Sequence, residues 1–515
     1  MKKYNVFKIL TIAILVTMLL SYFIPSTSMS YGTVTKGSVE PVPFVESFTN
    51  GLTSLSVFIT TFIYILSIGI FYATLIKTKK YEVLVNNIAA SFKKNRTLFL
   101  ALTIFILGIV TMFTGNLFVM LVFVPLLMSV IKKLGFKKEV AVASTIGAIL
   151  LGSTGTIYTY YINQMLSRTI SDSVVTRVVV SIVSLVALLV FILVFNDRPE
   201  KSSLEKTKEK KMLPLYITLI CLFVLFILGF VNWKGYFGFE GFDTFLTNLR
   251  KAEISKVSVF DAIVGKSVVA FGSFELQNAA VLILFISVLI SIIYRLKIND
   301  FFENLAEGIK KALPYALIAI LANIVLVNLV NSGVMFTIMI GLTEKAVNMF
   351  TGTLTAILAA LGFPDYTYSV QFTMTSVMAN KESIAGNEGL FSSLFQAVYS
   401  LFLLISPTSI LLLMGLKLNE VRYKDWIKYI YKFFIVLFVA ILIALKLTTE
   451  KIDFVAIAAA SLFVIALGII FYLRISKVSK RKTSEKKETT KVEVKQIKEE
   501  KKEESKKNKK SKNKK

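Results

Sequence analysis

The chain has no histidine and a single cysteine, Cys221. Without histidine there are no imidazole metal ligands, no Ser-His triads and no histidine proton relays. One cysteine rules out a disulfide within the chain and a thiolate metal site. Three motifs are also missing: the GxxxxGK[ST] phosphate loop, HExxH and DxDxDG. No loop is long enough to house a nucleotide-hydrolysing domain, so an ATP-driven pump is disfavoured. No metal site and no cofactor are expected.

Apolar sequence is what the chain has in abundance. Of 515 residues, 55% are hydrophobic, and the mean hydropathy is +0.70. Globular domains usually hold about 45–50%. The excess is blocked into runs such as 6–24, 55–76, 174–195 and 213–231. Each is close to the roughly twenty residues that cross a bilayer. Lipid offers no partner to backbone polar groups, so these runs must be helical. The expected fold class is all-α: a polytopic membrane protein of about 11–14 transmembrane segments.

The net charge of +27 is unevenly spread. From Arg474 onward there are 19 Lys and Arg against 7 Asp and Glu, so this end alone carries +12. Residues 477–515 have almost no large apolar side chains and are expected to be a disordered, lysine-rich tail. Elsewhere the basic residues gather in short loops: Lys77 to Arg96, Lys132 to Lys138, Arg295 to Lys297, and Lys417 to Lys428. Basic loops mark the cytoplasmic face. If 312–414 makes an even number of crossings, all of them fall on one side. The expected location is the cytoplasmic membrane, multi-pass, with both termini cytoplasmic and an uncleaved first helix. Residues 26–53 are not basic and read as an outside loop, as does 234–266 with some interfacial helix. The charged stretch 196–211 divides the chain into an N-terminal repeat, 1–211, and a C-terminal repeat, 212–476.

Three interruptions lie within apolar sequence. Thr114-Gly115-Asn116 splits 98–131 into two short crossings or a re-entrant hairpin. Gly152-Ser153-Thr154-Gly155-Thr156 leads to Asn163 and Gln164. Ser406-Pro407-Thr408-Ser409 loses a backbone donor at its proline. Broken helices offer unpaired backbone dipoles to a solute and its coupling ion. The plainer reading of each is close helix packing or a kink. Asn323, Asn328 and Asn331 share one apolar stretch. Interhelical hydrogen bonding is their default role and a polar pathway the rival. Glu275, with Gln277 and Asn278, suits a helix N-terminus. Glu344 is the acid nearest the middle of an apolar region, although an interfacial place fits it as well. The candidate substrate-binding residues are Thr114, Asn116, Ser153, Thr154, Asn163, Asn328, Asn331, Thr408 and Ser409.

Several segments resemble the YfcC-type branch of the ion transporter superfamily, relatives of the DcuC dicarboxylate carriers. They are the helix closing with Leu20-Ser21-Tyr22-Phe23-Ile24-Pro25, the Gly108 to Pro125 hairpin and the break at Gly152 to Gly155. Segment 298–321 is similar to that family's linker into its second half. The most specific is PTSILLLMGLKLNEVRYKDWIKYIYKFF, 407–434, similar to the family's Pro-Thr-Ser break followed by a Tyr-x-x-Trp loop. Together they cover about half of the membrane region. The chain departs where members carry Gly-Met-x-Glu-Glu: here Met112-Phe113-Thr114-Gly115 lacks the acidic pair. Asn163-Gln164 replaces an Asn-Pro. The family's Ser-Gly-Ser-Gly turn is not evident, and Thr373 to Ser376 or Asn331 to Gly333 stands in its place.

The resemblance implies two inverted repeats with re-entrant hairpins or broken helices. It also implies a secondary active transporter, ion-coupled through Na+ or H+ or exchanging, for a small organic acid or amino acid. The alternative is a membrane-insertion or scaffold protein that holds ribosomes or anionic lipid through its basic tail. Expected partners are the small-molecule substrate, membrane lipid and a second copy of the chain in a homodimer, with anionic lipid or the ribosome at the tail.

Overall fold

The computed structural model describes residues 5–30, 33–156, 174–196, 204–254, 257–344 and 347–449. Asn163, Gln164, a last crossing at 454–473 and the basic tail lie outside the described residues.

The chain is an all-α polytopic membrane protein, with two short β-hairpins as its only sheet among those residues. Among the described residues, seven helices are long and apolar enough to cross a membrane. The first half begins with α1 (Asn5–Ser21), a β-hairpin (β1, Pro25–Ser30; β2, Thr33–Val39), α2 (Phe44–Val57) and α3 (Ile59–Lys77). The outside loop expected over 26–53 is therefore folded, and α2 takes up its second part. The single helix expected over 55–76 divides at Phe58, whose backbone (φ −103°, ψ 22°) leaves the helical region between α2 and α3.

Next come α4 (Tyr81–Ser91) and a hairpin of α5 (Arg96–Thr114) and α6 (Val124–Lys133), with a 3-10 turn at Val119–Phe123 between them. The hairpin turns at Gly115, whose φ of +65° only glycine adopts cheaply. An interrupted helix follows: α7 (Lys138–Val142), a π turn (Ala143–Gly147), α8 (Ala148–Gly152) and a 3-10 turn at Ser153–Gly155. The half closes with α9 (Val174–Phe195).

The second half opens with α10 (Leu213–Phe230). Then come small outer elements: α11 (Trp233–Phe237), α12 (Gly241–Arg250), strands β3 (Glu253–Ile254) and β4 (Val257–Ser258), and α13 (Val259–Ile263). Helix α14 (Leu276–Ile293) carries Glu275 at its N-cap, where Glu275 and Asn278 form a reciprocal capping box. Helix α15 (Ile298–Asn331) has 34 residues and contains Pro314. At 1.5 Å per residue it spans about 50 Å, more than the hydrocarbon core needs. Its polar first turns extend beyond the crossing and meet the end of α3, where Lys77 pairs with Asp300 at 3.4 Å.

After α15 come α16 (Val334–Thr343) and a second hairpin of α17 (Met349–Gly362) and α18 (Tyr366–Met378). The short α19 (Lys381–Ile384) leads to a second interrupted helix, α20 (Glu388–Phe402) and α21 (Ile410–Leu418), and to α22 (Tyr423–Thr449). The order of a long helix, a hairpin, an interrupted helix and a closing helix thus occurs twice along the chain, from α3 to α9 and from α15 to α22. Glu344 caps the end of α16 and is exposed.

The basic loops do meet on one face. Arg96 donates to the Leu134 carbonyl at 2.9 Å, Lys93 to the Leu204 carbonyl at 3.0 Å, and Lys138 pairs with Glu420 at 3.1 Å. Lys80 pairs with Glu209 there. At the other end, Thr337 Oγ1 donates to the Pro25 carbonyl at 2.7 Å, tying the first β-hairpin to α16.

Candidate functional site

Every break in a buried helix frees carbonyls that must find donors. In the first hairpin the donors are tyrosines of α3. Tyr64 donates to the carbonyls of Phe118 and Val119 at 3.1 and 3.0 Å, and Tyr72 to that of Val122 at 2.7 Å. Asn116 turns the chain locally, its Oδ1 accepting from Phe118 N at 2.9 Å. Thr114 is buried, and its hydroxyl has no hydrogen-bond partner in the described structure.

The break after α8 is closed from both halves. Within its own half, Ser181 accepts from Gly155 N at 3.0 Å and donates to the Gly152 carbonyl at 2.6 Å. From the other half, α20 sends two side chains to the Ser153 carbonyl: Gln396 Nε2 at 2.6 Å and Ser400 Oγ at 3.2 Å. Gly155 is required by closeness, since a Cβ there would lie 1.7 Å from the Arg177 carbonyl.

Gln396 is the hub of this crossing. Its Oε1 accepts from Tyr366 at the tip of the second hairpin. Four residues earlier on α20, Ser392 accepts from Arg177 Nη2 at 2.8 Å. Arg177 is 2% exposed and sits in the first turn of α9. Tyr399, on the same helix, donates to the Phe363 carbonyl of the hairpin turn at 2.7 Å. Asp365 caps the second arm of that hairpin by accepting from Tyr368 N at 3.1 Å. A guanidinium from α9, an amide and hydroxyls from α20, a hydroxyl from the second hairpin and a backbone carbonyl from the first interrupted helix therefore converge deep in the protein.

The break between α20 and α21 is closed differently. Trp426 Nε1 donates to the Leu404 carbonyl at 2.8 Å, and the Tyr423 hydroxyl donates to that of Ile405. Ser406 and Thr408 donate to the Ala360 and Leu361 carbonyls, each at 2.8 Å, capping the end of α17. Every one of these partners belongs to the second half.

The sequence candidates fall into four places. Thr114 and Asn116 sit at the first hairpin turn. Ser153 and Thr154 lie at the crossing, but their hydroxyls donate back to Leu150 and Leu151 at 2.8 and 2.6 Å. It is the Ser153 carbonyl that faces the other half. Thr408 and Ser409 belong to the second break. Asn328 and Asn331 lie apart, in a cluster joining α1, α2 and α15. There Asn50 donates to Asn328 and accepts from Asn331, both at 2.8 Å, while Asn328 donates to Ser47 at 3.2 Å. That is interhelical bonding of the default kind.

Arg177, Ser392, Gln396 and Tyr366 were not among the candidates. Two signals point to them. Arg177 is an ionisable residue in an apolar helix. Ser392, Gln396 and Ser400 recur every four residues, a polar stripe on one helix face.

No family model matches the chain, and no curated protein matches it. Similar solved structures include two transporters. One is the YdaH transporter of Alcanivorax borkumensis, described as having an unusual topology, at 11% identity over 86% of this chain and 97% of that one, with a TM-score of 0.40. The other is MtrF of Neisseria gonorrhoeae, described as illuminating a class of antimetabolite efflux pumps, at 11% identity over 85% and 94%, with a TM-score of 0.39.

Proposed function

We propose that this protein is a secondary carrier of the cytoplasmic membrane, its basic face in the cytoplasm. It moves a small organic acid or amino acid, driven by a Na+ or H+ gradient or by exchange. One observation carries the reading: the interrupted helix of the first half is bonded across to the second half at the Ser153 carbonyl, by Gln396 and Ser400. Bonds of this kind must break when the halves move, and a bound solute can replace them. The Arg177 guanidinium against Ser392 supports a carboxylate-bearing solute. The YfcC-type resemblance favours the same substrate classes, dicarboxylates and amino acids.

A coupling ion also has support. Buried polar atoms of Thr114, Asn323 and Thr373 have no hydrogen-bond partner in the described structure. Native proteins leave few such atoms, and those that remain point to an ion, a water or a ligand. Within this proposal Arg177, Ser392 and Gln396 hold the solute, together with the backbone of Ser153 and Thr154. Thr408 and Ser409 hold the second break in shape.

The test is uptake by the reconstituted full chain from a panel of labelled dicarboxylates and amino acids, under Na+ and H+ gradients in turn. Accumulation above protein-free vesicles for a carboxylate-bearing solute is expected. No uptake of any member by folded protein would overturn the carrier reading.

A further inference from the structure

A cavity of about 420 Å³ opens away from the crossing, between α3, α6, α15 and α21. Its size falls in the range of about 300–1,000 Å³ usual for small-molecule sites. The depth follows from the helices that line it. Contacts run from Ile65 to Ile76 on α3, about 16 Å at 1.5 Å per residue. The deep walls are apolar, formed by Ile68, Leu121, Met128 and Met414.

The Tyr72 hydroxyl in that wall is already used. It donates to the Val122 carbonyl at 2.7 Å and accepts from Leu126 N at 3.1 Å. The interior thus has little to give a polar solute. The mouth is different. Lys132 and Lys311 line it at the end of the cavity near the basic loops. Lys311 pairs with Glu307 at 2.6 Å. Lys132 forms no ion pair among the described residues: Glu420 acts on it electrostatically but pairs with Lys138 at 3.1 Å, and Lys133 and Lys138 lie close along the chain. A long apolar slot with a cationic mouth is the complement of a hydrocarbon chain with an anionic head.

We propose that this cavity holds one acyl chain of an anionic phospholipid from the leaflet bordering the basic face, its phosphate against Lys132. Charge complementarity at the mouth selects the anionic lipid over a zwitterionic one. The used-up polar groups within select a chain over a polar solute. The site does not depend on whether the protein carries a solute.

The experiment reconstitutes the full chain with a trace of phosphatidylglycerol or phosphatidylcholine bearing a photoactivatable acyl chain, and maps the adducts by mass spectrometry. Adducts within 65–76 and 121–132 are expected, with phosphatidylglycerol favoured about fivefold, the weight of one lysine near an anionic head. Lys132→Glu should bring the two lipids level, and Lys132→Arg should keep the preference. Both changes are at an exposed position, so folding should survive, as size-exclusion chromatography would verify. Equal adducts from the two lipids in the unaltered protein would overturn the proposal. So would adducts confined to α10, or a preference that survives Lys132→Glu. Labelling of the cavity by a photoactivatable decanoate added from water, but by neither phospholipid, would assign it to a soluble amphiphile instead and equally overturn the proposal.

Discussion

The two interrupted helices differ in where the donors for their freed carbonyls come from. At the first break the Ser153 carbonyl is held by Gln396 and Ser400 of the opposite half. At the second, Trp426, Tyr423, Ser406 and Thr408 keep every bond within one half. A break closed from within moves as a unit with its own half. A break closed from across is remade whenever the halves shift. On the proposed function the first is therefore the place for a solute and the second a fixed joint.

The largest expected effect tests the packing beneath this difference. G155A drives a Cβ to 1.7 Å from the Arg177 carbonyl. Overpacking of this severity costs about 3 kcal/mol or more. Monodisperse protein should fall sharply in fluorescence-detected chromatography. Unchanged yield and melting temperature would mean that α8 and α9 are not so close.

The next pair sets one break against the other. Q396A should lower uptake about tenfold or more, equivalent to at least 1.4 kcal/mol in the barrier, with a small shift in melting. W426F keeps the ring but leaves the Leu404 carbonyl without its donor, at a cost of about 1–3 kcal/mol. Its melting temperature should drop while uptake per folded molecule holds. The opposite pattern would break the comparison.

A smaller effect belongs to the asparagine cluster. N50A removes bonds to Asn328 and Asn331. Interhelical hydrogen bonds in membranes are worth about 0.6 kcal/mol each, so a modest loss of thermal stability is expected, with uptake intact. A collapse of uptake would bring this cluster into the pathway.

The smallest concerns the linker, where the Lys80 ammonium hydrogen-bonded to Glu209 holds that carboxyl below its ordinary value. A depressed carboxyl stabilises the fold above its ordinary pKa, and that contribution is lost as pH falls through the lowered one. E209Q should therefore differ from the unaltered protein above the ordinary carboxyl range, and barely there, since the pair faces solvent. Thermal melts at pH 7 and pH 3 would read it. A large difference at either pH would make this strap a structural clamp.

Much of this architecture is legible in the sequence. Apolar run length and basic loops give the crossings and their common face, because lipid and surface charge act on composition alone. The Thr-Gly-Asn turn is readable because Gly115 must take a positive φ. The Tyr-x-x-Trp pattern has a physical cause that sequence does not display: Tyr423 and Trp426 close the carbonyls of the break before them.

The proposed site was only half readable. Ser153 and Thr154 sit at the crossing, but their part in it is played by backbone, which no residue type encodes. Arg177 and Gln396 meet across 219 positions of chain through Ser392 and the second hairpin, and local spacing cannot express that. Asn328 and Asn331 drew notice as polar residues in an apolar run, and they bond to other helices instead. Residues 26–53 passed for a loop because they lack a long apolar run, whereas α2 packs against α15 through polar contacts such as Ser54 to the Ile320 carbonyl at 2.9 Å.

The most direct test uses the single native cysteine. With C221S as background, S392C places a thiol at the crossing beside the first break and T408C one at the second break, both buried in the structure. The reconstituted proteins would be treated with a charged, water-soluble thiol reagent. Water should reach S392C as the halves part, and a transported carboxylate should slow its labelling, while T408C stays inert. Equal silence at both positions, or labelling at T408C alone, would contradict the account.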